Sequence, residues 1–293
     1  MTVRERPSGP ASTGPRGLGD RDVDGVLFIA EMYAVQVDLL AVVLGGTVPR
    51  ARAAATRWRR LGYAESGRFG PGPSWVWLTR AGLAACGLHY PPISPALSRL
   101  AHTRAVATVR LALAARAEYQ QAGAFWRSER RLRVRAGSRA GLREHLPDGE
   151  VHWPDSAVVP WAGECWAIEA EVTRKTVSRT TSVMRELLSR TGDYGCAAAD
   201  TAVPGRPARH ARVLYVCSAG ARPTVLRARD ALGPLAARIE VRDLPRHAAL
   251  TVAPDAAGPP RTGPAGTRAA ETGMARAGAP RIGAAGTGGE RAC

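Results

Sequence analysis

Trp153-Pro154-Asp155-Ser156-Ala157-Val158-Val159, a short turn, and then Cys165-Trp166-Ala167-Ile168-Glu169-Ala170-Glu171-Val172-Thr173-Arg174-Lys175-Thr176 form the stretch that decides how the chain is read. Ser156 to Val159 is predicted as a strand opened by Pro154-Asp155, residues 160–164 as a turn, and Cys165 to Val172 as a second strand. Alternation places Ile168, Ala170 and Val172 on one face and Glu169 and Glu171 on the other. Asp155 is expected at the mouth of the neighbouring strand. Three carboxylates gathered at strand ends repel one another unless a cation or protons offset the charge.

Lys175 follows directly. Among 41 Lys and Arg residues it is the only lysine. A lysine differs from arginine as a compact point charge with a tunable pKa, so one retained lysine marks a candidate functional group. Survival on a solvated surface is the competing reading.

Pro-Asp, a gap, Glu-x-Glu and a nearby lysine are similar to the core of the PD-(D/E)xK nuclease-like fold. Together with the N-terminal segment described next, the chain resembles the replication-relaxation proteins of actinobacterial plasmids and integrative elements, over about residues 20 to 250. The resemblance implies Asp155 and Glu169 as Mg²⁺ ligands, and a lysine that polarises the phosphate or orients water. Glu171 stands where the lysine of the triplet belongs, which leaves Lys175 as the candidate for a displaced ammonium. The resemblance also implies an acid on the first helix of the nuclease-like domain, and Glu129 is the candidate, with a surface ion pair as the alternative.

Residues 1–20 are rich in Pro, Gly, Ser and Arg and read as a disordered leader. Residues 21–44 carry apolar residues at helical spacing and predict two helices broken at Gly45-Gly46. Thr47 and Pro49 predict the start of a third, which stops at Gly62. Ala51, Ala54, Ala55, Trp58 and Leu61 are its expected buried stripe, and Arg50, Arg52, Arg57, Arg59 and Arg60 its basic face. Tyr63 to Ser66 and Trp75 to Leu78 read as a hairpin whose loop carries Arg68, and Thr79 as the cap of a short helix. This outline predicts a winged helix-turn-helix over residues 21–90, with the third helix in the major groove and Arg68 near the phosphates.

Residues 90–95 read as a Pro-rich hinge, and 96–121 as one long helix. From Leu97 to Arg143 eleven arginines face two glutamates, which predicts a track for a phosphate backbone. Asp148-Gly149 reads as hairpin-turn chemistry, so Asp155 rather than Asp148 is taken as the motif aspartate. A helix over 177–190, a strand over 213–218, a helix over 224–232 and a strand over 238–241 complete an expected α/β (α+β) domain over 96–250, with the αβββαβ order that the resemblance implies. Residues 252–293 are too poor in large apolar groups to fold and read as a disordered tail.

The formal net charge of +16 points to a polyanionic partner, double-stranded DNA. Five cysteines without a C-x-x-C pair point to free thiols in a reducing cytoplasm. No apolar run is long enough for a membrane span. No P-loop, zinc-finger spacing or H-E-x-x-H is present. The expected activity is DNA binding in replication or relaxation of a mobile element. The alternatives are a Mg²⁺-dependent endonuclease using Asp155, Glu169, Glu171, Lys175 and Glu129, and a winged-helix transcription regulator. A homodimer is left open.

Overall fold

The computed structural model describes residues 18–137, 145–191 and 209–245, which all belong to one compact unit of a mixed α/β protein. The first part runs α1 (Asp20–Met32), β1 (Ala34–Gln36), α2 (Val37–Val43), α3 (Val48–Arg60), β2 (Ala64–Gly67), β3 (Trp75–Leu78) and α4 (Arg80–Ala85). Asp20 and Asp22 sit in the first turn of α1, where negative charge favours the helix dipole. α3 begins with Pro49 in its first turn, and Gly62, at φ +74°, turns the chain after it. Ala51, Ala54, Ala55 and Trp58 are buried as the spacing predicts, whereas Leu61 is 41% exposed. Thr79 caps α4 by accepting the Gly82 N–H and donates to the Gly62 carbonyl.

The three strands pair antiparallel in the order β1-β3-β2. β1 lies inside the segment predicted as two helices. Tyr33 ends α1 at a positive φ of 66°, and β3 supplies the edge on which Ala34–Gln36 pairs. Local periodicity carries no sign of that long-range partner.

The second part opens with α5 (Leu100–Ala114) and α6 (Ala117–Gln121) in place of one long helix. The break falls at Arg116, whose backbone is extended. Then come β4 (Phe125–Ser128), α7 (Glu129–Ala136), β5 (Gly149–His152), β6 (Cys165–Glu171), α8 (Val177–Ser189), β7 (Arg212–Cys217), α9 (Arg222–Asp230) and β8 (Ile239–Asp243). They form one sheet in the order β4-β5-β6-β7-β8. β5 is antiparallel to both neighbours, while β6, β7 and β8 are parallel. Trp166, Ile168 and Ala170 of β6 join a core with residues of α1, α3 and α5. Ala167 packs on the other face with Met184 and Leu187 of α8 and Val225 of α9.

The strand expected over Ser156–Val159 is absent. These residues form turns, with Val158 fully exposed. Pro154 and Pro160 remove two donors, and the loop closes on itself through Trp153 N–H to the Glu164 carbonyl and Gly163 N–H to the Trp153 carbonyl. The place beside β6 belongs to Gly149–His152. Gly149 is therefore not a turn residue: it pairs with Ser128 and Ile168, and a Cβ there would come within 2.0 Å of the Trp126 ring.

The regions read as residues 21–90 and 96–250 share one apolar core across the Pro-rich connection, from Val26 and Trp58 to Leu214 and Val216. Ion pairs and hydrogen bonds reinforce it. Arg104 forks onto Asp38 at 3.0 and 2.7 Å, Arg110 pairs with Glu31 at 2.8 Å, and Arg130 donates to the Ala30 carbonyl at 2.7 Å. Among the described residues no helix is long and apolar enough to cross a membrane.

Candidate functional site

β6 brings Glu169 and Glu171 out on the face opposite Ile168 and Ala170, and both are only 5% exposed. The antiparallel register of β5 aligns Gly149 with Ile168, so the residue just before Gly149 arrives beside Glu169. That residue is Asp148. Its Oδ2 accepts the Ala170 N–H at 2.8 Å, and its Oδ1 lies 2.8 Å from His102 Nε2. Glu169 Oε1 lies 2.8 Å from His145 Nε2.

Burial, and then the Asp148 carboxylate, push Glu169 up to about 7, while His145 and Lys175 hold it down. Burial works against the charged form of both histidines, but the bond to Asp148 raises His102 and the bond to Glu169 raises His145. Asp148 and Glu169 are the oxygen donors here that could hold a divalent cation, with a histidine on each.

Glu171 is answered by Lys175, whose Nζ lies 2.6 Å from Glu171 Oε2. The lysine side chain remains 37% exposed, so its remaining donors face outward. Glu129, in the first turn of α7, pairs with Arg133 and, at 3.7 Å, with Arg99. It lines a small cavity together with Asp148, His102 and Tyr33. Glu169, Glu171, Lys175 and Glu129 thus gather around one end of the sheet.

Asp155 does not join them. It occupies an exposed turn beyond His152, and His152 pairs with Cys165 at the start of β6. Glu169 is four residues further along that strand, a separation of roughly 13 Å at about 3.3 Å per residue. An antiparallel strand carries its later residues away from the carboxyl end of its partner. The aspartate that meets Glu169 is therefore the one that precedes β5, and Asp148 replaces Asp155 as the ligand candidate.

Arg50, Arg52, Arg57, Arg59 and Arg60 of α3, and Arg68 in the β2–β3 loop, are all exposed. Arg57 is held by Asp22 of α1. The basic track expected from Leu97 onward divides: Arg99, Arg131, Arg133 and Arg135 are exposed, while others turn inward. Arg104, Arg110 and Arg130 are tied to Asp38, Glu31 and the Ala30 carbonyl. Arg139 and Arg143 lie outside the described residues.

A second polar group was not visible in the sequence. Glu150 is fully buried and takes Arg209 at 2.7 and 2.9 Å, Arg127 at 3.3 Å, His152 at 2.9 Å and His210 at 2.9 Å. Burial alone would raise its pKa, but the bonds from His152, His210 and Arg209 hold it far below the usual carboxylate range. Glu150, Cys165 and His210 bring their ligand atoms within 4.8 Å of one another. With two guanidinium groups already on its carboxylate, this cluster is a compensated ion network and not a place short of positive charge.

His102 and His145, 43 residues apart in the chain, had no sequence signature. Asp148 had one, since Pro147-Asp148 is a Pro-Asp pair equal to Pro154-Asp155. Comparison with protein-family models, curated proteins and solved structures finds no match to the chain.

Proposed function

We propose that the protein binds double-stranded DNA and cleaves a phosphodiester bond at the Asp148–Glu169 centre with a divalent metal. The observation that carries this reading is the pairing of a buried carboxyl, pushed up to about 7, with a second carboxylate at the same end of the sheet. Asp148 and Glu169 would hold Mg²⁺ or Mn²⁺, and a bound metal supplies Lewis-acid stabilisation of phosphoryl charge and an activated water.

The chain's own groups have distinct tasks. Glu171 fixes Lys175 by their 2.6 Å contact, and the exposed ammonium is available to a phosphate oxygen. His102 and His145 keep the two carboxylates oriented. The objection to catalysis, a glutamate in place of the triplet lysine, loses force because Lys175 reaches that glutamate.

Two features of element order support the fold-level reading. The run α1-β1-α2-α3-β2-β3, with β1 paired to β3, fits a winged helix in which α3 and the Arg68 loop face DNA. The run of helix α5, strands β4 to β6, helix α8 and strand β7 follows the helix, three strands, helix, strand order of the nuclease-like core, with α6 added before β4 and α7 inserted between β4 and β5. The resemblance to replication-relaxation proteins gives the proposed setting: processing of plasmid or integrative-element DNA. Binding without cleavage is the second reading, favoured by the Glu169-x-Glu171 triplet.

Supercoiled plasmid incubated with Mg²⁺, Mn²⁺ or EDTA tests the proposal. Metal-dependent nicking lost in Asp148→Asn and Glu169→Gln, and kept in Asp155→Asn, is expected. No nicking with either metal, alongside salt-sensitive duplex binding, would overturn cleavage and leave the binding role.

A further inference from the structure

On the opposite face of the sheet from Glu169, at the far end of β6, lies a cavity of about 250 Å³. Its walls include Tyr119, Trp153, Trp161 and Trp166. The three indoles sit at centroid distances of 5.3, 5.4 and 5.5 Å, all edge-on or tilted, and Tyr119 meets Trp153 edge-on at 6.0 Å. Nearly half of the seven tryptophans of the chain therefore line one small space. Core packing alone rarely leaves a void of this size, and drug-sized sites begin only slightly larger, at about 300 Å³.

Two of the indoles are unsatisfied. Trp153 Nε1 and Trp161 Nε1 are buried and have no hydrogen-bond partner among the described residues. Trp166 Nε1, in contrast, donates to Glu164 at 2.6 Å. Both nitrogens are closed off from solvent, so the cavity offers the faces and edges of the rings and not these donors.

The charges at the mouth narrow the choice further. Arg116, Arg212 and Arg242 are each tied to a glutamate: Glu118, Glu164 and Glu240. The rim is thus balanced in charge. Arg212 already lies over the Trp166 ring at 5.9 Å, which occupies the place a cationic ligand would take. What remains is a neutral, planar ring, small enough for one ring system.

We propose that this cavity binds an unstacked nucleobase. Aromatic walls hold bases by stacking and edge contact, and a chain of net charge +16 concentrates nucleic acid around itself. A free mononucleotide and a single strand present the same ring chemistry, and the two sources are separated by the titration below. The inference stands apart from cleavage, because Trp166 and Glu169 face opposite sides of β6.

Calorimetric titration of the full chain with deoxyadenosine monophosphate, a short single-stranded oligodeoxyadenylate and a duplex of the same sequence tests it. The expected result is binding of the single strand that weakens at least about tenfold in Trp161→Ala and recovers in Trp161→Phe. Duplex binding is expected to be unchanged in both. Equal affinity for the mononucleotide would assign the site to free nucleotides, and binding of the oligomer alone to a strand-borne base; either supports the proposal. Absence of single-strand and mononucleotide binding, or binding equal in wild type and Trp161→Ala, would overturn it. Trp161 lies on the loop after β5, and a wild-type melting temperature for Trp161→Ala would show that the fold survives.

Discussion

Asp148 is tied to Ala170 across the strand pair: its Oδ2 accepts the Ala170 N–H at 2.8 Å, which sets the aspartate beside Glu169. This one bond gives Asp148 a structural and a chemical role, and the two separate by mutation. Asp148→Asn keeps an acceptor oxygen and loses the charge. Glu169 is then expected to fall below about 7 while staying above an ordinary glutamate, because burial is the larger cause of its shift. A carboxyl titration followed by NMR, with the side-chain signal assigned through Glu169→Gln, would read it. An unchanged Glu169 would show that Asp148 does not act on it.

Stability is expected to fall as pH rises from about 5 to about 8. The Glu169 pKa is raised in the folded state, so the native protein holds a proton that the unfolded chain releases, and that contribution is lost as pH climbs from the ordinary glutamate value of 4.5 toward about 7. His102 and His145 are also raised and lose their contributions in the same direction. The Glu169 part is on the order of 1–3 kcal/mol. Thermal melts should show the decline in wild type and a flatter profile in Glu169→Gln. Added Mn²⁺ is expected to restore the melting temperature at the upper pH and to do little for the variant.

Glu150 is expected to be the most sensitive polar position. Glu150→Ala removes the one buried carboxylate that Arg209, Arg127 and His210 share, and with it the nearest counter-charge of the two arginines. A loss of about 3–5 kcal/mol is expected in denaturant unfolding. A loss below about 1 kcal/mol would mean that water reaches the arginines and replaces the carboxylate.

Gly149→Ala tests the close approach of β4 and β5. The added methyl would meet the Trp126 ring at 2.0 Å, and moving that ring costs about 1–3 kcal/mol. The near-ultraviolet dichroism of the tryptophans should change with it. The variant also shifts the strand that carries Asp148, so nicking is expected to fall along with stability.

Duplex binding should depend on the exposed arginines of α3. Arg52→Ala and Arg59→Ala are each expected to weaken binding and to reduce the salt slope by about one. Asp22→Ala releases Arg57 from its ion pair and is expected to raise affinity at low salt. Gel shifts over a salt series check both directions. Affinity unaffected by all three would remove α3 from the interface.

Much of this was legible locally. The α3 stripe, the Thr79 cap, the β2–β3 hairpin, the α8 helix and the alternation of Glu169 and Glu171 against Ile168 and Ala170 all follow from spacing and from the side chains themselves. Helix periods, caps and pleat alternation act over a few residues, so a sequence carries them in full. The pair of Glu171 with Lys175 belongs here too, because both lie in one short stretch.

The choice between Asp148 and Asp155 was of another kind. Both follow a proline, both stand near a strand, and their local chemistry is the same. Only the register of β5 on β6 separates them, since Gly149 meets Ile168 and the chain then runs back toward Cys165. The arrival of His102 and His145 on the carboxylates, the convergence of two arginines on Glu150 and the gathering of Trp153, Trp161 and Trp166 around one cavity have the same origin. Short-range preferences specify which residues share a face. Which distant faces meet is decided when strands pair and cores close, because that energy comes from contacts between segments and not from any one of them.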